Sequence, residues 1–217
     1  MIQLDHLVLP VESLDAAAQT LSDSGFVVTP QAEHPFGTAN RLVVFDGAYL
    51  ELVTVVDSGR LPSNGFARRV FEHLDSGSTG FSHVACAARS VTAAGEVTRD
   101  LGLDVDAPMW FSRRAPRSDG SELTASFTLL ALTDSPQVFF CVHHTPTAVW
   151  FGPHLSHPNG ARTIERVATE LDLPFTVDPI VAGPPRIETD QLVDGIEVGG
   201  VVFGAEGVSP SGGPAAP

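Results

Sequence analysis

Leu4-Asp5-His6-Leu7-Val8-Leu9-Pro10-Val11-Glu12-Ser13-Leu14-Asp15-Ala16 is answered 77 positions later by Phe81-Ser82-His83-Val84-Ala85-Cys86-Ala87-Ala88-Arg89-Ser90-Val91-Thr92-Ala93. The same shift of 77 pairs Gly25-Phe26 with Gly102-Leu103. Each copy reads as an apolar strand bearing a histidine, then a turn, a helix and a glycine stop. A repeated supersecondary unit constrains the fold more strongly than any local propensity. Here it predicts two copies of one module facing a shared site, with the two strand histidines in register.

Working outward, Ser13 is placed to cap a helix that stops near Gly25. Phe26-Val27-Val28 reads as a second strand, residues 30–39 as a Pro- and Gly-containing loop, and Arg41 to Phe45 as a third strand. Asp46-Gly47 is a hairpin signal, and Tyr49 to Val55 forms the fourth strand. Residues 57–79 read as a linker with a short helix over Phe66 to Leu74. The second module opens at Phe81, with a helix over 90–101 and a long loop carrying Met109-Trp110-Phe111 and Arg113-Arg114-Ala115-Pro116-Arg117. Its last strands are Phe127 to Leu132 and Val138 to Val142. The expected organisation is a first βαβββ module (1–56), the linker (57–79), a second βαβββ module (80–146), a C-terminal extension packing on both (147–203) and a disordered tail (204–217). Strand-like pieces around Gly195 and Gly199 belong to that extension. The fold class is α+β: paired modules forming a cup-shaped, half-open mixed β-barrel with flanking helices.

Composition narrows the function. Apolar residues at 43% and charged residues at 18% of 217 fit a globular protein with a sizeable core. The formal net charge is −14, and every basic side chain other than histidine is arginine. A negative field of that size argues against a nucleic-acid partner, and the lack of lysine excludes Schiff-base chemistry on a lysine amine. No apolar run approaches the roughly 18 residues of a membrane span, and the N-terminus shows no secretory pattern. A cytoplasmic location with no membrane partner is therefore expected. Cys86 and Cys141, on apolar strands, read as buried reduced thiols.

Two strand histidines and a mid-strand carboxylate carry the candidate chemistry. His6 and His83 occupy matching positions of the repeat, and Glu51 interrupts an apolar strand. A carboxylate in such a run costs several kcal/mol unless paired or metal-bound. Two imidazoles and a carboxylate make a divalent-metal site with open positions for substrate. A metal-free polar pocket built from the same groups is the alternative. His34, Thr38, Asn40 and Arg41 lead into the third strand and would gate or line the pocket, with Arg41 suited to a substrate carboxylate. Trp110, Phe111 and Trp150 would form an aromatic wall. His143 and His144 are candidates for the general acid or base; alternation along a strand lets only one face the pocket.

The paired βαβββ pattern, with histidine on strand one and glutamate on strand four, resembles the vicinal oxygen chelate superfamily. Within it, Leu4-Asp5-His6-Leu7-Val8, His34-Pro35-Phe36-Gly37-Thr38-Ala39-Asn40-Arg41-Leu42 and Tyr49-Leu50-Glu51-Leu52-Val53 are similar to the glyoxalase-like domain proteins. His143-His144-Thr145-Pro146, Val149-Trp150 and His157-Pro158-Asn159-Gly160-Ala161 resemble a segment of bacterial members. The resemblance covers about residues 2–162. It implies one divalent ion (Fe, Mn, Ni or Zn) on His6, Glu51, His83 and a fourth-strand residue of module two. It also implies a small oxygen-rich substrate handled by lyase, isomerase or dioxygenase chemistry, and it is compatible with a homodimer. Aligning Tyr49-Leu50-Glu51 with Val138-Phe139-Phe140 puts Phe140, which cannot ligate, at the fourth position. That substitution is what keeps a metal-free binding or sequestering protein as the alternative.

Overall fold

The structure, a computed structural model, describes residues 1–182, 195–198 and 201–204. The first module comprises β1 (Ile2–Pro10), α1 (Leu14–Asp23), β2 (Ala32–Glu33), β3 (Thr38–Val44) and β4 (Tyr49–Val55). Helix α2 (Phe66–Asp75) links it to β5 (His83–Ala87), α3 (Val91–Asp100), β6 (Met109–Pro116), β7 (Glu122–Ala131) and β8 (Val138–His143). The extension adds β9 (Arg166–Thr169), β10 (Val177–Asp178), β11 (Ile180–Ala182), β12 (Gly195–Val198) and β13 (Val201–Gly204). The tail from 205 on, and the parts of the strand-like stretch at 187–194 and 199–200, lie outside the described residues.

The repeat is visible down to its caps. Ser13 accepts from the Ala16 N–H at the start of α1, and Ser90, 77 positions on, accepts from the Ala93 N–H at the start of α3. Each side chain satisfies one of the N–H groups a helix start leaves free. The strands run in the order β2-β3-β4-β1-β5-β8-β7-β6, with β10 alongside β1. At the centre β1 and β5 pair antiparallel, His6 opposite Ala85 and Val8 opposite His83. The 77-residue shift exchanges those two pairs, so a pseudo-twofold axis passes between them. The end strands β2 and β6 approach across a seam, giving a mixed sheet nearly closed into a barrel.

Alternation along each strand sends one set of side chains under the helices and the other into the barrel. The outer core packs Leu7, Leu50, Val84 and Phe140 against α1, α3 and the extension. The inner core holds Val8, Tyr49, Val53, Ala85, Phe127 and Phe139, closed by Val70 of α2 and by Ala148 and Val149.

Three elements differ from the sequence reading, the first being β2, which lies inside the expected 30–39 loop. Phe26-Val27-Val28 is not a strand. Its backbone is held by side chains instead: the Val27 N–H donates to His157 Nδ1, and Thr29 Oγ1 accepts from the Leu42 N–H. Residues 109–116, expected as a loop, form β6, because Phe111, Arg113 and Ala115 alternate inward while Trp110 and Arg114 face out.

The turn before β3 depends on Gly37. It sits at φ +85°, and a Cβ there would clash with the Asp57 carbonyl oxygen. Its own carbonyl accepts from the Val56 and Asp57 N–H groups. Gly37→Ala combines left-handed strain with a backbone clash and is expected to cost about 1–3 kcal/mol, read as a lowered urea midpoint.

Candidate active site

His6 and Glu51 arrive on neighbouring strands. In the parallel β1–β4 pair His6 lies opposite Tyr49 and Val8 opposite Glu51, so all four face the interior. The His6 ring stacks on Tyr49 at 4.4 Å and is flanked by Phe139 at 5.5 Å. His6 Nε2 stands 3.7 Å from one Glu51 oxygen, and His34 Nε2 stands 3.6 Å from the other. Asn40 Nδ2 donates to Glu51 Oε1 at 2.6 Å and lies 3.3 Å from His34 Nε2. All four side chains are at least nine-tenths buried.

The hydrogen bonds fix both tautomers. An ionised carboxylate only accepts, so the 2.6 Å contact to Asp5 Oδ1 places a proton on His6 Nδ1. An amide nitrogen only donates, so His34 Nε2 accepts from Asn40, and the His34 proton sits on Nδ1, donating to Thr38 Oγ1 at 2.8 Å. Burial, then the nearby Arg113 and His6, hold His34 well below the usual histidine range, so it stays neutral. Two imidazoles thus flank Glu51, one Nε2 near each of its oxygens, each imidazole braced from behind in the way metal-ligating histidines are.

Asp5 reaches His6 because β1 is irregular there. The register shifts between Leu4 and His6, leaving Asp5 as the extra residue of a bulge, a device that re-aims side chains beside sites. Asp5 Oδ1 also accepts from His143 Nε2 at 3.0 Å. Burial opposes its ionisation, but the hydrogen bonds from His143 and His6 outweigh burial and lower its carboxyl to about 2. Ligand atoms of Asp5, His6 and Cys141 also lie within 4.8 Å of one another. That trio is a second place where an ion could sit; without one, burial, then Asp5 and Glu51, push the Cys141 thiol well above its ordinary value. Asp5→Ala leaves two buried N–H donors unpaired and is expected to destabilise the fold by about 2–4 kcal/mol, measured by chemical denaturation.

A cavity of about 20 Å³ lies among His6, His34, Asn40, Tyr49, Glu51 and Arg113, walled by Phe66, Phe111, Phe127 and Phe139. That volume takes one water-sized body. Burial, then Asp5, raises the Tyr49 phenol well above its ordinary value, so it remains a proton donor.

The expected residues sort as follows. His6, Glu51, His34, Asn40 and Phe111 meet at the cavity, with Thr38 directly behind. His83 faces the same interior but is not in the cavity wall. Its Nδ1 bonds Ser82 Oγ at 2.8 Å, its Nε2 is buried with no hydrogen-bond partner, and Phe66 and Phe139 lie against it at 5.1 and 5.9 Å. Arg41 points to the outer surface and pairs with Asp15. Trp110, 64% exposed, also faces outward. Phe140 packs in the outer core against Phe175. The β5–β8 register explains this. Ala85 pairs with Phe139, so Phe139 is the repeat counterpart of Glu51, and a one-residue slip turns the opposite face inward. The fourth position is still a phenylalanine. His143 lies on the Asp5 side of His6, and Trp150 covers it at 4.8 Å while stacking edge-on to Tyr49 at 5.8 Å. His144 is on the outer face, bonded to Thr128.

Two members were not anticipated. Asp5 was signalled only by its place beside His6 in an apolar strand. Arg113, which the sequence puts in a long loop with Arg114 and Arg117, is 8% exposed and points into the barrel.

The comparisons agree with this architecture. The sequence matches the profile of the glyoxalase-like domain over residues 4–175. No curated protein matches it. Among solved structures, a hypothetical protein from Staphylococcus aureus superposes with a TM-score of 0.58 at 15% identity, over 77% of this chain and 69% of that one. A methylmalonyl-CoA epimerase from Mycobacterium tuberculosis gives 0.43 at 16% identity, over 65% and 86% of the two chains. A mutant 4-hydroxymandelate synthase from Streptomyces coelicolor gives 0.44 at 15% identity, over 95% of this chain and 60% of that one. With a family profile covering most of its length, the chain belongs to the glyoxalase-like domain family.

Proposed function

We propose that this protein is a metal-dependent enzyme of the glyoxalase-like type, acting on a small oxygen-rich molecule, with the ion held by His6, His34 and Glu51. The observation that carries this reading is the convergence of two imidazole Nε2 lone pairs on the two oxygens of Glu51, at 3.7 and 3.6 Å. Two donors on one ion, each at about 2.1 Å, stand roughly 3.0–3.5 Å apart; each imidazole is already near that distance from a Glu51 oxygen, and sharing one ion would require the two imidazoles to swing toward each other, since the three ligand atoms do not all lie within 4.8 Å of one another. Two histidines and one carboxylate suit Fe, Mn, Ni or Zn and leave open positions for substrate.

When bound, such an ion would polarise substrate oxygens as a Lewis acid. The chain supplies the rest. Asp5 and Thr38 hold the two imidazoles in their ligating tautomers. Asn40 orients Glu51. Tyr49, with its proton retained, is a donor in the cavity wall. His143 acts through Asp5, positioning His6. His83 would join the ligand set only if Phe66 and Phe139 turned aside.

Elemental analysis of protein purified without chelators is expected to find about one divalent ion per chain. The second reading, a metal-free binding protein, is favoured by one feature: Arg113 supplies a buried positive charge facing Glu51, and Phe139 replaces a fourth ligand. Absence of bound metal, together with unchanged thermal stability on adding Mn, Fe, Ni or Zn, would favour it.

A further inference from the structure

Arg113 is the one arginine among the described residues that is buried, at 8% exposure. Its only hydrogen bond among them runs from Nη1 to its neighbour's carbonyl, Arg114 O, at 3.2 Å, and Nε has no partner. No carboxylate of the described residues lies within 4 Å of it. Its cation rests over the Phe127 ring at 5.6 Å. A guanidinium stays charged at any working pH, and Glu51 across the cavity attracts it without forming a direct pair, which leaves a buried charge only partly compensated. Arg113 reaches the cavity shared by His6, His34 and Glu51 from β6, opposite the strand that carries Glu51. If Glu51 binds a divalent ion, the cavity carries net positive charge, with a flat two-pronged donor on one wall.

We infer that Arg113 is the receptor for the carboxylate of the substrate, which makes the substrate class a small organic acid. The class rests on the metal reading above; the role of Arg113 as an anion receptor does not. Guanidinium and carboxylate match in a bidentate geometry that a lysine ammonium cannot reproduce. The cavity of about 20 Å³ is smaller than such an acid, so Phe66, packed edge-on between His34 and Phe139, must turn aside to admit it.

The test is calorimetric titration of the full-length protein with glycolate, with glycolamide as its uncharged counterpart, and with inorganic phosphate, while metal content is measured on the same samples. Glycolate is expected to bind at least about tenfold more tightly than glycolamide or phosphate. Arg113→Met should lose that preference, and Arg113→Lys should lose most of it, with metal content unchanged in both. If the Met variant does not fold, the Lys variant and the glycolate–glycolamide comparison on the unaltered protein still decide. Equal affinity for the acid and the amide, retention of the preference in the variants, or preference for phosphate would overturn the inference. Protein that binds glycolate through Arg113 but holds no metal would refute the metal reading alone. Metal-loaded protein indifferent to glycolate would refute this one alone.

Discussion

Glu51→Ala and His34→Ala are each expected to lower divalent-metal affinity more than about 100-fold, beyond the 10- to 100-fold loss typical of removing a supporting group. His83→Ala is expected to leave affinity within a few-fold of the parent. The contrast follows from geometry. Glu51 offers one oxygen to each of His6 and His34, whereas the His83 ring is separated from that point by Phe66 and Phe139. Asp5→Asn falls between them. It keeps the volume but weakens the acceptor that holds the His6 proton on Nδ1, and a loss of about 10- to 100-fold is expected. Competition titrations with a chromogenic chelator give all four values. A His83→Ala loss equal to that of His34→Ala would return the third ligand to β5 and contradict the arrangement described here.

Stability should fall steeply as the protein is acidified from pH 7. Burial, then Arg69 and His6, lower His83 to about 3, and burial likewise lowers His34 and His157. A histidine whose folded value is depressed contributes stability that is complete above its unfolded value of about 6.5 and is lost as pH falls toward the folded value. Each such group removes about 1.4 kcal/mol per pH unit within its window, so His83 alone accounts for about 2 kcal/mol between pH 6.5 and 5. Asp5 acts later: lowered to about 2, it keeps its contribution down to about 3.8, its ordinary value, and loses it below. Urea titrations at pH 7.5, 6 and 5 are expected to show a falling free energy of unfolding, with a shallower slope for His83→Gln. A stability that is flat from pH 7.5 to 5 would mean these imidazoles are not buried neutral.

The sequence conveyed the architecture and only part of the site, for identifiable reasons. The 77-residue shift fixes module number, strand histidines, helix caps and glycine stops together, because a whole supersecondary unit is repeated and each part corroborates the others. His6 and Glu51 were legible as polar groups in apolar strands. His83 repeats His6 in register, but the repeat does not extend to the groups around it: Glu51 has Phe139 as its counterpart, so His83 has no carboxylate to turn toward. His34 takes the second place because a two-residue strand brings its loop against β3, and nothing in a sequence reports that approach. Phe140 lies on the outer face because the β8 alignment slips by one residue, which in a strand reverses every side chain; Arg41 forms the surface salt bridge that a strand-end arginine equally allows. Arg113 was obscured by neighbouring arginines, although the alternation Phe111, Arg113, Ala115 contained the signal. The bulge that turns Asp5 onto His6 is a pairing event between strands and leaves no local mark.

The central claim is that His6, His34 and Glu51 share one divalent ion, and an anomalous difference map from manganese-loaded crystals tests it most directly. The account predicts one dominant peak within bonding distance of His6 Nε2, His34 Nε2 and a Glu51 oxygen. A peak seated on Asp5 and Cys141, or manganese found only on surface carboxylates, would contradict it.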